Sequence, residues 1–227
     1  MEVEIWSDIA CPWCYVGKRR FEAALAQFEH RDEVTVTWRS FELDPEAPPE
    51  QAGEWTERLA GKYGMTREQA EASQRHMTEV AAAEGLEFRF DRARAGNTFD
   101  GHRLVHLAAE QGLQDAMKER LLRAYLSEGE LIADADTLVR LGVEVGLPEL
   151  AVRDLLAGDR FADAVRDEEL SAQRHGIAAV PTFLVDRRLG GSGAHPPEAL
   201  LHLLRQAWES RSPAIVTGGD TCGPDGC

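Results

Sequence analysis

The sequence predicts an α/β domain interrupted by a large all-helical insertion. Three observations predict it: a strand–helix–strand pattern at the start, a long helical block behind it, and a return to strand, hairpin and helix near the end. In "VEIWS", Val3 and Ile5 alternate with Glu2 and Glu4, the period of a strand. The next run, "YVGKRRFEAALAQFEH", sets Phe21, Ala24, Leu25 and Phe28 at i, i+3, i+4 and i+7, the apolar stripe of a helix. "VTVTWRSF" then alternates Val34, Val36 and Trp38 with Thr35, Thr37 and Arg39. A strand, a helix and a second strand in that order make a parallel βαβ unit.

The prolines of "LDPEAPPEQAGE" mark a loop, and from about Trp55 to His175 the pattern is helical. Thr66 and Gln69 fit a capping box at the head of one helix, which ends on Gly85. Further runs stop at Gly112, Gly129, Gly146, Gly158 and Gly176, each suited to a left-handed helix end. Apolar stripes run through Leu104, Leu107 and Ala108 and through Leu121, Leu122 and Tyr125. Beyond them Thr182 to Val185 reads as a strand, Asp186-Arg187 as a turn, and Arg188 to Gly191 as the hairpin partner. Pro196 and Pro197 open a last helix lined by Leu200, Leu201, Leu204 and Trp208. The predicted division is residues 1–50 with 177–210 as the α/β domain, 51–176 as the helical insertion, and 211–227 as a flexible Gly/Pro-rich tail carrying Cys222 and Cys227.

Charge and cysteine content narrow the function. With 25 Lys plus Arg against 40 Asp plus Glu, the formal net charge is −15, which argues against nucleic-acid and membrane partners. The N-terminal segment lacks the basic and apolar regions of a secretory signal, so the expected location is the cytoplasm. Four cysteines are too few for a disulfide scaffold of this length, and in a reducing compartment paired cysteines read first as redox-active or metal-binding.

Cys11-Pro12-Trp13-Cys14 sits between the first strand and its helix. Pro12 fits the first helical position, which places Cys11 beside free backbone N–H groups carrying about half a positive charge. A thiolate, the nucleophilic form, is favoured there. Cys14 follows on the same helical face, so Cys11 is expected to be the exposed attacker and Cys14 the more buried resolving thiol.

The segments "SDIACPWCYVGKRRFE", "NTFDGHRLVHLA", "RAYLSEGELIAD" and "AVPTFLVDRRLGGSGAHPPEALL" resemble the DsbA-like branch of the thioredoxin superfamily, within it the FrnE-like group. The resemblance implies a thioredoxin fold with a helical insertion and a thiol–disulfide oxidoreductase or isomerase. It also implies a cis-proline at Pro181, facing the reactive cysteine, with Val180 lending backbone hydrogen bonds to a bound peptide. Pro12 and Trp13 join them as expected substrate contacts. The expected partners are protein or small-molecule disulfides and thiols, glutathione among them, with no cofactor and no metal. DsbA has a histidine where this chain has Trp13, so Cys11 is expected to be less acidic, and the couple less oxidising, than in DsbA, whose thiol titrates near about 3.5. Lys18, Arg19 and Arg20 are placed to compensate in part.

Other readings compete. The similar kappa-class glutathione transferases and 2-hydroxychromene-2-carboxylate isomerases share the fold, usually with serine where this chain has Cys11. The four cysteines also admit one zinc site. His102 and His106, four apart on a helix, read as ordinary core or surface histidines. Asn97-Thr98 reads as a helix cap that the resemblance sets near Cys11, and Trp38, Trp55 and Trp208 read as core; Glu4, ahead of Cys11 on the first strand, is a candidate buried proton acceptor, but strand alternation favours an exposed face. In "CGPDGC" the Gly-Pro-Asp-Gly turn brings Cys222 and Cys227 together as an auxiliary dithiol. Replacing both by serine is expected to slow disulfide turnover in a steady-state assay. An unchanged rate would remove the auxiliary pair from the mechanism.

Overall fold

The computed structural model describes residues 1–211. Cys222 and Cys227 lie outside them. Strand β1 (Glu2–Ser7) leads into α1 (Pro12–Ala26) and returns as β2 (Thr35–Ser40), parallel to β1 with Val3 beside Val36 and Ile5 beside Trp38. Seven helices follow: α2 (Trp55–Tyr63), α3 (Arg67–Ala83), α4 (Phe99–Ala109), α5 (Gln114–Arg123), α6 (Ala135–Val145), α7 (Glu149–Ala157) and α8 (Ala162–Arg174). The chain then re-enters the sheet as β3 (Thr182–Val185) and β4 (Leu189–Ser192) and closes with α9 (Pro197–Glu209). The sheet order is β2-β1-β3-β4, with β3 antiparallel to both neighbours. This is the thioredoxin arrangement with a helical insertion that the sequence predicts.

Local chemistry sets the element ends. Thr66 accepts a hydrogen bond from Gln69 N at 3.2 Å while the Gln69 side chain accepts from Thr66 N at 2.9 Å, a complete capping box. Such a cap contributes roughly 1 kcal/mol. The predicted glycine stops hold with one exception: Gly158 is extended, with φ −121° and ψ −161°. The hairpin turn takes left-handed backbone at Asp186 and Arg187, so β4 starts one residue later than predicted, at Leu189. Between α5 and α6 the chain makes a π-turn, Ala124–Glu128, which carries Tyr125.

One hydrophobic cluster runs from β1 through the insertion to α9, with Val3, Ile5, Leu104, Leu121, Phe183 and Leu204 all within it. Helices α1 and α9 pack together, with Phe28, just past the end of α1, set edge-on to Trp208 of α9, and Phe21 of α1 stacks on Phe183 of β3. Helices α5 and α8 pack against β2. Strand β1 is therefore covered on both faces, and every residue after Glu2 in it is buried.

That cover corrects the expectation for Glu4. Its side chain is buried, and its carboxylate accepts from Arg39 Nε and from Arg187 Nε, each at 2.8 Å. Burial pulls its pKa up, but the two guanidinium groups prevail and hold it below the ordinary value. Arg39 also reaches Glu168 of α8 at 2.8 Å, and Glu168 accepts from Ser40 N at 2.7 Å and lies 3.2 Å from His106 Nε2. Burial raises the Glu168 pKa, yet His106, the Ser40 amide and Arg39 together bring it down to about 2. A depressed carboxylate stabilises the fold fully above its ordinary pKa, and that stabilisation is lost as pH falls toward the folded value. Glu168→Gln is accordingly expected to cost roughly 2–3 kcal/mol at neutral pH. The gap to the parent protein should close between about pH 4.5 and pH 2 in denaturant titrations; a gap that does not change with pH would mean that Glu168 acts by packing alone.

Candidate active site at the Cys11–Cys14 pair

Strand β1 delivers the chain to a short turn, residues 8–10, and α1 begins at once. Cys11 is the N-cap, with extended backbone (φ −92°, ψ 113°), and Pro12 takes the first helical position as predicted. The first turn of α1 holds no acidic residue to neutralise its free N–H groups. Both cysteines are free thiols and both are buried, Cys11 at 5% exposure and Cys14 at 0%. The expected exposed attacker is thus a recessed one: Cys11 opens onto a cavity whose lining does not include Cys14.

The Val180–Pro181 bond is cis, and the Cys11 sulfur lies 3.6 Å from the Val180 carbonyl. The loop is pinned by Thr182, whose hydroxyl donates to Ala179 O at 2.7 Å. Helix α1 passes so close that a Cβ on Gly17 would stand 2.8 Å from Pro181 Cγ, so residue 17 has room for hydrogen only. Trp13 is 38% exposed at the cavity edge beside Pro12. Val180 and Pro181 face Cys11 from the other side and are not part of the cavity wall.

The cavity, about 830 Å³, lies between the cysteine turn and the insertion. Trp55, Met65, Met77, Phe90 and Tyr125 make much of its far wall apolar. Trp55, expected in the core, is half-buried there and packs on Phe90 with ring centroids 5.0 Å apart. Trp38 is core, and Trp208 is half-buried, stacked on His30 at 4.0 Å.

Behind the cysteines is a polar group that sequence reading did not single out. Asp8 is fully buried. Its Oδ1 accepts from the Thr98 hydroxyl at 2.9 Å and lies 3.4 Å from His102 Nε2, and its Oδ2 accepts from Leu43 N at 2.8 Å. Although burial raises the Asp8 pKa, His102 and the Leu43 amide lower it further, and the carboxyl is held below its usual range. Thr98 therefore spends its hydroxyl on Asp8 instead of capping α4; the side chain of Asn97 takes the Phe99 amide at 2.8 Å. Lys118 of α5 is also fully buried and donates to the Ser7 carbonyl at 2.9 Å. It sits over the Trp38 ring at 5.9 Å.

The α1 cations do not serve the thiols. Lys18 pairs with Glu22, Asp115 and Glu119, Arg19 with Glu22 and Glu119, and Arg20 with Glu84 and the Ala194 carbonyl. Lys118 is the buried lysine behind the cysteine turn, and burial pulls its pKa below the ordinary lysine value against the opposing pull of Cys14, Asp8 and Cys11. A signal for it existed: Lys118, Leu121, Leu122 and Tyr125 fall at i, i+3, i+4 and i+7, so a lysine heads an apolar stripe.

The two thiols share one charge. Burial raises Cys14, but a hydrogen bond from Cys11, the Ser7 hydroxyl, Lys118 and the Asp8 amide bring it below an ordinary thiol. Cys11 goes the other way, pushed up first by its hydrogen bond to Cys14 and then by burial and the Cys14 charge. The helix N-terminus alone led to the opposite expectation for Cys11. Among the described residues, no three His, Cys, Asp or Glu side chains converge as metal ligands.

The chain is similar to the crystal structure of a probable DsbA oxidoreductase from Streptomyces coelicolor, at 47% identity and a TM-score of 0.90, covering 100% of this chain and 98% of that one. It shares its fold with the cytosolic disulfide reductase DsbM from Pseudomonas aeruginosa, solved with GSH, at 22% identity and a TM-score of 0.64, over 92% of this chain and 100% of the other. A 2-hydroxychromene-2-carboxylate isomerase has the same fold at 13% identity and a TM-score of 0.65, over 93% and 96%. The sequence profile of the DSBA-like thioredoxin domain matches residues 2–205, and the chain belongs to that family.

Proposed function

We propose that this chain is a thiol–disulfide oxidoreductase working by dithiol–disulfide exchange through Cys11 and Cys14. The observation that carries the reading is the placement of two free thiols at one helix N-terminus, the first open to a cavity and facing the Val180 carbonyl, the second buried behind it. Cys11 attacks one sulfur of a substrate disulfide: the Cys11–substrate bond forms, the substrate S–S bond breaks, the other substrate sulfur leaves as a thiolate, and the Cys11 proton passes to Cys14. The resulting mixed disulfide is resolved by Cys14, which forms the Cys11–Cys14 bond and releases the second substrate sulfur as a thiol. In reverse, one substrate thiol attacks the Cys11–Cys14 bond to form a mixed disulfide with Cys11 and free the Cys14 thiol, and a second substrate thiol displaces Cys11, so that the substrate leaves as a disulfide and both cysteines are left reduced. The direction in a cell follows the potential of the partner couple.

The site suits disulfides with apolar surroundings, from peptides to small molecules. Trp13 offers an aromatic face at the cavity edge, and the Val180 carbonyl offers a backbone acceptor. A cytoplasmic setting is the expectation for paired cysteines in a chain of this acidic composition. Glutathione, present with the DsbM relative, is the first small disulfide to assay. Loss of the Cys11 sulfur also separates this reading from a glutathione-dependent transferase or isomerase, in which serine commonly fills that position.

Cys11→Ser is expected to abolish insulin reduction and glutathione-disulfide exchange. Cys14→Ser should accumulate a mixed disulfide at Cys11, visible as an added mass that a reductant removes. Exchange at the parent rate in Cys11→Ser would overturn the proposal, and conjugation or isomerisation that survives it would favour the rival.

A further inference from the structure

The cavity wall opposite the cysteine turn carries charges that the exchange cycle does not use. Trp55, Arg58, Leu59 and Lys62 fall at i, i+3, i+4 and i+7 on α2, and all four line the cavity onto which Cys11 opens. Helix α2 therefore turns a stripe of two apolar and two basic side chains toward that space. Its acids are engaged elsewhere: Glu57, and Glu54 just ahead of the helix, pair with Arg67 at 3.4 and 2.9 Å. Arg58 is left with an unfilled hydrogen bond. Its Nη1 donates to the Gly53 carbonyl, which holds the guanidinium in place, and its Nη2 is buried with no hydrogen-bond partner among the described residues. Buried donors in native proteins are paired, and an orphan asks for a reason.

The guanidinium carbon of Arg58 stands over the Trp55 ring, 5.7 Å from its centroid. That ring packs on Phe90 at 5.0 Å and meets Tyr125 edge-on at 6.0 Å, so the cation borders an aromatic floor within the cavity. Tyr125 comes from the π-turn, a rare backbone form that is frequent at functional sites. Two carboxylates also line the space. Asp8 is taken up by Thr98 and the Leu43 amide, and Asp44 accepts from Gln51 Nε2 at 3.2 Å.

We propose that the cavity selects disulfides of small thiols that carry a carboxylate on a compact apolar body, and that Arg58 is the substrate-binding residue that takes the carboxylate. The substrate sulfur meets Cys11, the apolar body lies on Trp55 and Phe90, and Arg58 Nη2 gains the acceptor it lacks. Hydrogen bonds from a guanidinium to a carboxylate are charge-assisted and stronger than neutral ones. Lys62, exposed one turn further along α2, adds a second positive charge at the mouth. A chain of net charge −15 has no general attraction for anions, so the selection falls to these named groups. The volume of about 830 Å³ is that of a small-molecule site. The inference rests on the exchange reading for its sulfur chemistry and adds to it which disulfides enter.

The test separates binding from exchange. In Cys11→Ser, calorimetry should show naphthoate binding about tenfold more tightly than neutral naphthamide, and Arg58→Gln on that background should abolish the difference. S-methylglutathione, a carboxylate on a polar body, should bind more weakly than naphthoate. With both cysteines present, Cys11 bonds to one half of an aryl disulfide and the other half leaves as a thiolate. The rate of that release from the dicarboxylate dithiobis-nitrobenzoate, divided by the rate from a neutral dipyridyl disulfide, should fall about tenfold in Arg58→Gln. Where Arg58→Gln does not fold, the preference of Cys11→Ser for naphthoate over naphthamide decides the matter. Naphthoate that binds no better than naphthamide, a preference that Arg58→Gln leaves intact, or tighter binding of S-methylglutathione overturns the carboxylate site, and the exchange reading survives as long as the disulfides react. Naphthoate binding that depends on Arg58, in a protein that reacts with neither disulfide, sinks the exchange reading and leaves the carboxylate site standing.

Discussion

A carboxylate sealed away from water has to find its hydrogen bonds within the protein, and at Asp8 that requirement organises the whole site. Its partners come from three parts of the chain. Ala10 N, at 3.3 Å, belongs to the cysteine turn itself, Leu43 N to the loop after β2, and Thr98 and His102 to the insertion. The turn that carries Cys11 is thereby fixed against two distant segments. Removing any one donor would leave a buried charge short of a partner, which is far more costly than losing a surface contact.

The same logic explains why the insertion is not an appendage. Glu168 on α8 and Lys118 on α5 are both buried at their junction with β1 and β2, and each finds its partner there, Arg39 and Ser40 for the first and the Ser7 carbonyl for the second. The apolar cluster is continuous across that junction. A domain cut at residues 51 and 176 would expose part of one core and strand buried charges on both sides. The split thioredoxin domain is a description of chain order, and the packing joins what chain order separates.

Much of this was legible in the sequence. Periodicity located β1, α1, β2 and the helical block, and the Thr66–Gln69 box appeared where it was expected. The Cys11-Pro12-Trp13-Cys14 segment announced its own chemistry, since strand, proline and helix leave little freedom in where the sulfurs sit. The cis bond at Pro181 came from family resemblance, because nothing local distinguishes it from other X–Pro bonds. What stayed hidden were polar residues whose meaning depends on distant partners. Glu4 alternates like a surface residue, and only Arg39 and Arg187, brought in by β2 and the hairpin turn, make its burial possible. Asp8 and Lys118 are more than a hundred positions apart, and no pattern of spacing connects them. Lys18, Arg19 and Arg20 misled for the same reason, since their carboxylate partners lie largely on α5 and after α3.

The two walls of the cavity are built to different standards of rigidity. The turn with Cys11 is locked by buried charge, whereas α2, which supplies Trp55 to the opposite wall, buries none of its residues fully and packs chiefly on α3. Elements with few buried apolar contacts open at lower free energy than the core. The helical side of the cavity is therefore the one that opens at lower free energy, and the turn that carries the sulfur is the one held in place.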